Sequence, residues 1–146
     1  MTTEDYILSK LPYSKPFRFV DRILEVNENY IKGSFHLTAD MSFYSGHFPQ
    51  HPITPGVILT EIMAQIGLAS LGIYLNKNTV SASDLPFVMT ATQLEFLKPV
   101  YPDTTVFVES EKVYFRFGKL KCKVTLKDKM NETLCEGFIS GIQIKQ

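Results

Sequence analysis

Between Tyr30 and Thr38, Ile31, Gly33, Phe35 and Leu37 fall on one side of a two-residue period. Lys32, Ser34 and His36 fall on the other. The alternation predicts a half-buried strand with His36 on its solvent side. Phe17–Val26 reads as the strand before it, and Asn27-Glu28-Asn29 as the turn between them. A short helix is expected over Glu4–Lys10. Asp40–Thr54 is a loop, because Pro49, Pro52 and the following Pro55 forbid regular helix or a central strand. Thr54-Pro55-Gly56 then signals a helix start, with Thr54 as N-cap and Pro55 at the first helical position. From there to about Leu75 the chain is apolar nearly all round, the pattern of a helix enclosed by other structure. Asn76–Asp84 is polar and reads as a loop. β-like segments follow at Pro86–Lys98, Thr104–Phe117, Lys119–Lys127 and Thr133–Ile144, joined by turns at Pro99–Asp103 and Lys127–Glu132. Two strands, one long buried helix and four strands predict an α+β fold, with one antiparallel sheet curled round a central helix. A helix wrapped in this way stays open on one side, which favours a dimer.

Composition changes this picture little. The 146 residues suit one domain spanning 1–146, and 45% apolar with 21% charged side chains is ordinary for a globular protein. Zero formal net charge offers no global field for nucleic acid or anionic lipid. The run from Val57 to Leu75 is long enough to raise a membrane span, but Thr60, Glu61, Gln65 and Ser70 interrupt it, so a buried helix is expected. The first residues lack a cationic stretch followed by an apolar one, so a cytoplasmic protein is expected. Cys122 and Cys135 are then reduced thiols in strands, without an assigned role.

The candidate chemistry lies in GHFPQHPITPGVILTEIMAQ, Gly46–Gln65. Glu61 and Gln65 are four apart and share one side of an otherwise apolar helix. A carboxylate buried there has its pKa raised and can hold a proton near neutral pH, unless the stripe meets solvent or a basic partner. His47 precedes Glu61 by 14 residues. The proline loop can fold it back towards Glu61 of its own chain or of a second subunit, pairing a base with an acid. Gly56 and Val57 occupy the first helical turn, where N–H groups lack intrahelical partners and can receive negative charge developing on a carbonyl oxygen. Base, acid and oxyanion donors suit proton abstraction α to a carbonyl with loss of a β-hydroxyl. His47 and His51 also have H-x-x-x-H spacing, but Pro49 between them spoils the helical geometry a metal would need, so no metal is expected. His51 is read as a loop-packing residue.

The same stretch resembles the signature of the (3R)-hydroxyacyl-[acyl-carrier-protein] dehydratases: GHFP, then HP and PGV, then a helix with E-x-M-A-Q. LPYSKPFRFVDR upstream and FLKPV with Pro102-Asp103 downstream extend the likeness over nearly the whole chain. The resemblance implies the hotdog fold, a sheet wrapped round a central helix. It implies His47 as the base for the α-proton and Glu61, from the other subunit of a homodimer, as the acid for the departing hydroxyl. It makes Gly56 the donor to the thioester carbonyl; Val57 and Gln65, from the reading of the helix itself, are the further candidate substrate-binding residues. The substrate is an acyl chain on the phosphopantetheine arm of acyl carrier protein, no cofactor is needed, and trimers of dimers are common. Related dehydratase-isomerases carry Asp in place of Glu61, so Glu61 points to simple dehydration to a trans-2-enoyl product. The pathway is fatty acid synthesis or a related polyene or polyketide synthesis. The chain departs from the family pattern at Tyr13-Ser14-Lys15, Gln50, Thr54, Glu95 and Leu97.

Acyl carrier protein is acidic, so a local basic patch is expected. Lys98–Lys129 holds eight basic against four acidic side chains, and Lys98 and Arg116 are the docking candidates. A thioesterase using the helix carboxylate alone, or a non-catalytic acyl-binding subunit, remains open on the sequence.

Overall fold

The computed structural model describes residues 1–79 and 85–144. Helix α1 (Thr3–Lys10) opens with a capping box. The Asp5 N–H donates to Thr2 Oγ1 at 3.0 Å, and the Thr2 N–H returns to Asp5 Oδ2 at 3.2 Å. The strands are β1 (Arg22–Asn27), β2 (Tyr30–Leu37), β3 (Phe87–Phe96), β4 (Thr104–Arg116), β5 (Lys119–Lys127) and β6 (Thr133–Gln143). They form one sheet in the order β1-β2-β4-β5-β6-β3, with every neighbouring pair antiparallel. The chain enters β3 after the central helix and crosses to the far edge, so that among the described residues β3 pairs with β6 alone. Part of that crossing, 80–84 within the expected Asn76–Asp84 loop, lies outside the described residues.

Two-residue periodicity sets the inner face. Ile31, Phe35, Leu37, Val106, Val108, Leu120, Cys122, Val124, Leu126 and Ile139 are buried there against Leu59, Ile62, Met63, Ile66 and Leu71 of the helix. Helix and sheet touch closely at Gly67, where an added Cβ would stand 2.8 Å from Val124 Cγ1. The apolar run from Gly56 to Leu75 is long enough for a membrane, yet 72% of its apolar window is buried inside the protein. The α+β expectation of a sheet round a central helix is met, and the four later strands fall within a few residues of their predicted bounds.

Three local expectations are corrected. The central helix is not uniform: α2 (Gly56–Ala64) passes through a π turn, Gln65–Ser70, into α3 (Leu71–Leu75). Hydroxyls take up carbonyls at the register change, Ser70 Oγ donating to Gln65 O at 2.7 Å and Ser110 Oγ to Gly67 O at 2.8 Å. The first strand begins at Arg22, not Phe17, because the backbone of Phe17 and Phe19 bonds to a helix side chain and not to a strand. The N-cap is Pro55. Thr54 is buried, with its Oγ1 2.6 Å from the Tyr44 hydroxyl and its N–H on Val100 O at 2.8 Å, so nothing is left to cap the helix.

Candidate active site

A 3-10 turn, Ser42–Ser45, launches the proline loop. The His47 N–H donates to Phe43 O at 3.0 Å and the Ile53 N–H to His47 O at 2.9 Å. The ring is fixed as well, with Nδ1 3.0 Å from Ile53 O and the imidazole stacked on Phe48 at 4.3 Å between centroids. A carbonyl oxygen can only accept, so Nδ1 carries the hydrogen of the neutral ring. Nε2 therefore holds the free lone pair, the state a general base requires. His47 lines a cavity of about 360 Å³ together with Ile53, Gly56, Leu59, Phe96 and Lys98. The His51 backbone closes a turn on Phe48, and its side chain stays exposed outside this cavity.

Gly56 meets the cavity at the helix N-terminus. Pro55 O accepts the first intrahelical bonds, from Ile58 N at 2.9 Å and Leu59 N at 3.1 Å, so the N–H groups of Gly56 and Val57 precede the ladder. The Phe96 ring stands 3.4 Å from where a Gly56 Cβ would be, so a side chain there would crowd the ring and narrow the mouth. Val57 is 76% exposed and does not line the cavity.

Glu61 lies elsewhere. It opens into a second cavity of about 320 Å³, with Tyr13, Ala64, Leu68, Phe87 and Met89 in the wall. Burial raises its pKa above the ordinary 4.5, and one hydrogen bond from Gln65 opposes the shift. Gln65 itself is fully buried. Its Nε2 donates to Glu61 Oε2 and to Phe17 O, both at 2.9 Å, and its Oε1 accepts from Phe19 N at 2.7 Å. Both amide hydrogens are used, so Gln65 orients Glu61 and pins the Phe17–Phe19 segment, with no donor left over for a substrate.

The raised pKa has a consequence for stability. A carboxyl whose pKa is raised by folding costs the folded state nothing while protonated. It begins to cost once the pH exceeds the unfolded value near 4.5, up through the raised folded value. Glu61→Gln should therefore equal the parent in melting temperature at pH 4 and exceed it at pH 8. A melting difference that stayed constant across that range would refute the burial effect.

The basic candidates stand apart from both cavity floors. Lys98 lines the mouth of the His47 cavity and pairs with Glu132 at 2.9 Å, both side chains about half exposed. Arg116 is exposed, its guanidinium 4.5 Å from the centroid of the Tyr114 ring. It begins a row across the sheet through Lys119 and Ile142 to Val88, which lines the Glu61 cavity. Cys122 and Cys135 face the core, pair with Ile139 and Leu126 and not with each other, and have thiols pushed up to about 11 by burial.

The structure thus brings His47 and Gly56 together in one cavity and Glu61 and Gln65 together at another. The two cavities share no lining residue. Strand β3 joins them: Phe96 borders the first, and Phe87, Val88 and Met89 border the second. Reasoning from sequence missed Tyr13 in the Glu61 cavity; its place directly after Leu11-Pro12, in a segment that departs from the family pattern, was the available signal.

A FabA-like domain model matches residues 11–131. The chain is 37% identical over 118 residues to the 3-hydroxyacyl-[acyl-carrier-protein] dehydratase FabZ of Thermus thermophilus, covering 81% of each chain. Among solved structures it is similar to a chain of the dehydratase heterocomplex ApeI:P from Xenorhabdus doucetiae. The TM-score is 0.79 at 14% identity, with 96% of this chain and 91% of that one covered. It is similar in fold also to a hypothetical thioesterase of Streptococcus pneumoniae solved with coenzyme A. There the TM-score is 0.64 at 15% identity, over 85% and 88% of the two chains.

Proposed function

The chain belongs to the FabA-like family and, within it, to the 3-hydroxyacyl-[acyl-carrier-protein] dehydratases, and from that membership we propose how its two half-sites perform the reaction. The enzyme removes water from 3-hydroxyacyl thioesters of acyl carrier protein in fatty acid synthesis. The thioesterase likeness, at 15% identity, concerns the fold alone.

The observation that carries the proposal is the placement of the cavities at opposite ends of a free edge. Among the described residues no strand lies beside the outer edge of β3, and six of its ten residues in succession are exposed. Such an edge pairs readily with a second copy. An antiparallel pairing about a two-fold axis sets the Phe96 end of one β3 beside the Phe87 end of the other. His47 of one subunit then faces Glu61 of the partner subunit, twice per homodimer, and each active site is shared. Three such dimers form the larger assembly we propose.

In the shared site, His47 Nε2 takes the α-proton. The charge developing on the thioester oxygen is met by the Gly56 N–H at the positive end of α2. Glu61, its pKa raised by burial, gives a proton to the β-oxygen as the C–O bond breaks, and water leaves. The trans-2-enoyl thioester remains, with His47 protonated and Glu61 ionised until the proton is returned. Gln65 holds Glu61 in position and does not touch the substrate. The rest of the acyl chain lies along Ala64, Leu68 and Met89, with Phe87 beyond.

Complementation between subunits carrying His47→Ala and subunits carrying Glu61→Gln tests the shared site. The carrier-docking role of Lys98 and Arg116 is supported by the placement of Lys98 at the cavity mouth. Lys98→Glu should raise KM for acyl carrier protein substrates and weaken its salt dependence, the effect of reversing one charge at an interface rim. It should leave KM for short pantetheine thioesters unchanged. Equal change with both substrates would exclude docking.

A further inference from the structure

Eight side chains line the Glu61 cavity: Tyr13, Glu61, Ala64, Leu68, Ala69, Phe87, Val88 and Met89. Two of them are polar, Glu61 and Tyr13. The Tyr13 ring packs against the core, and the phenol therefore has a fixed position. Its hydroxyl has no hydrogen-bond partner among the described residues, unlike Tyr44, whose hydroxyl is bonded to Thr54. Nor is it sealed in the interior, where, among the described residues, the one unpartnered buried side-chain atom belongs to Asn76. An amphipathic residue that buries its ring and leaves its hydroxyl open beside an acid is placed to serve something entering the cavity.

We propose that Tyr13 is a third catalytic residue of the dehydration, its hydroxyl donating a hydrogen bond to the β-oxygen of the substrate as Glu61 protonates it. The inference rests on the reading of Glu61 as the acid. The leaving oxygen carries two lone pairs at this stage. One receives the Glu61 proton as the C–O bond breaks, and the other accepts from Tyr13, so no proton moves from Tyr13 and the step balances with water as the product. The phenol is suited to donate and not to ionise, since burial, and after it the charge of Glu61, push its pKa up to about 12. Once water has gone, the enoyl product offers no β-oxygen, so the contact favours hydroxyacyl over enoyl ligand.

Tyr13→Phe keeps the ring and removes the donor. A roughly 10- to 100-fold fall in kcat is expected, the range for a lost hydrogen bond to a charged centre, at unchanged melting temperature. Binding separates this role from a wall residue. In the Glu61→Gln background, adding Tyr13→Phe should weaken 3-hydroxybutyryl pantetheine about tenfold and leave crotonyl pantetheine unchanged. Equal effects on the two ligands, or a Tyr13→Phe enzyme with parental kcat, would overturn the proposal. Failure of the underlying reading has a different signature, full turnover by Glu61→Gln alone.

Discussion

Enzyme with His47→Ala loses dehydration by about 10²- to 10⁴-fold, and so does enzyme with Glu61→Gln, the range for removing a positioned acid or base. Unfolding the two variants together and refolding them as a mixture restores activity. Half of the randomly formed dimers are mixed. Each mixed dimer holds one site with both lesions and one with neither. The recovered activity should approach about a quarter of the parent's, because a two-fold interface repeats the same contact with the subunit roles exchanged. The measurement is the absorbance of the enoyl thioester, followed during hydration, with a thiol reagent present to expose any hydrolysis. No recovery in a mixture shown to contain mixed dimers would place His47 and Glu61 in one chain's site and refute the shared reading. The separation of the two cavities within one chain makes recovery the expected result.

The largest expected loss of stability comes from Gln65→Leu. The variant keeps the volume and removes the amide. It leaves the buried Phe19 N–H without its 2.7 Å acceptor and frees Phe17 O and Glu61 from Nε2. An orphaned buried donor together with the lost bonds costs about 2–4 kcal/mol. For a chain of this length the melting temperature should fall by roughly 5–15 °C. Catalysis should fall further than stability explains, since Glu61 loses the contact that fixes Oε2. Gln65→Glu separates shape from hydrogen bonding. It retains an acceptor for Phe19 but sets a second carboxylate against Glu61, raising the pKa of the pair. A Gln65→Leu protein with parental melting temperature would show that the clamp contributes nothing.

The elements that were legible in the sequence depend on local pattern. β2 and β5 bury the residues their alternation selects, Ile31, Phe35 and Leu37 in one and Leu120, Cys122, Val124 and Leu126 in the other, although Ser34, expected on the solvent side of β2, is buried as well. The central helix is apolar all round and is enclosed. The misread places share another cause, a partner far along the chain. Phe17–Phe19 alternates like a strand, but Gln65 holds its backbone. Thr54 before Pro55 looks like a cap, but Tyr44 and Val100 claim it. The π turn carries no proline to announce it, and one of its carbonyls, that of Gly67, is satisfied by Ser110, 43 residues away.

By itself the sequence determined the order of the elements, the enclosed helix, and the residue types of an acid–base site: His47 in a proline loop, Glu61 on an apolar helix and Gly56 at its start. These follow from period, composition and motif, which are properties of neighbouring residues. Only the tertiary structure decided which ring nitrogen of His47 is free, that Gln65 is spent on Glu61 and the Phe17–Phe19 backbone, and that Tyr13 stands beside the acid. It also decided that His47 and Glu61 open into separate cavities at the two ends of an edge strand. The last of these depends on where β3 is laid down after the crossing. A chain shows its own periodicity in its sequence, but the strand that will lie beside an edge is fixed only when the sheet has been assembled.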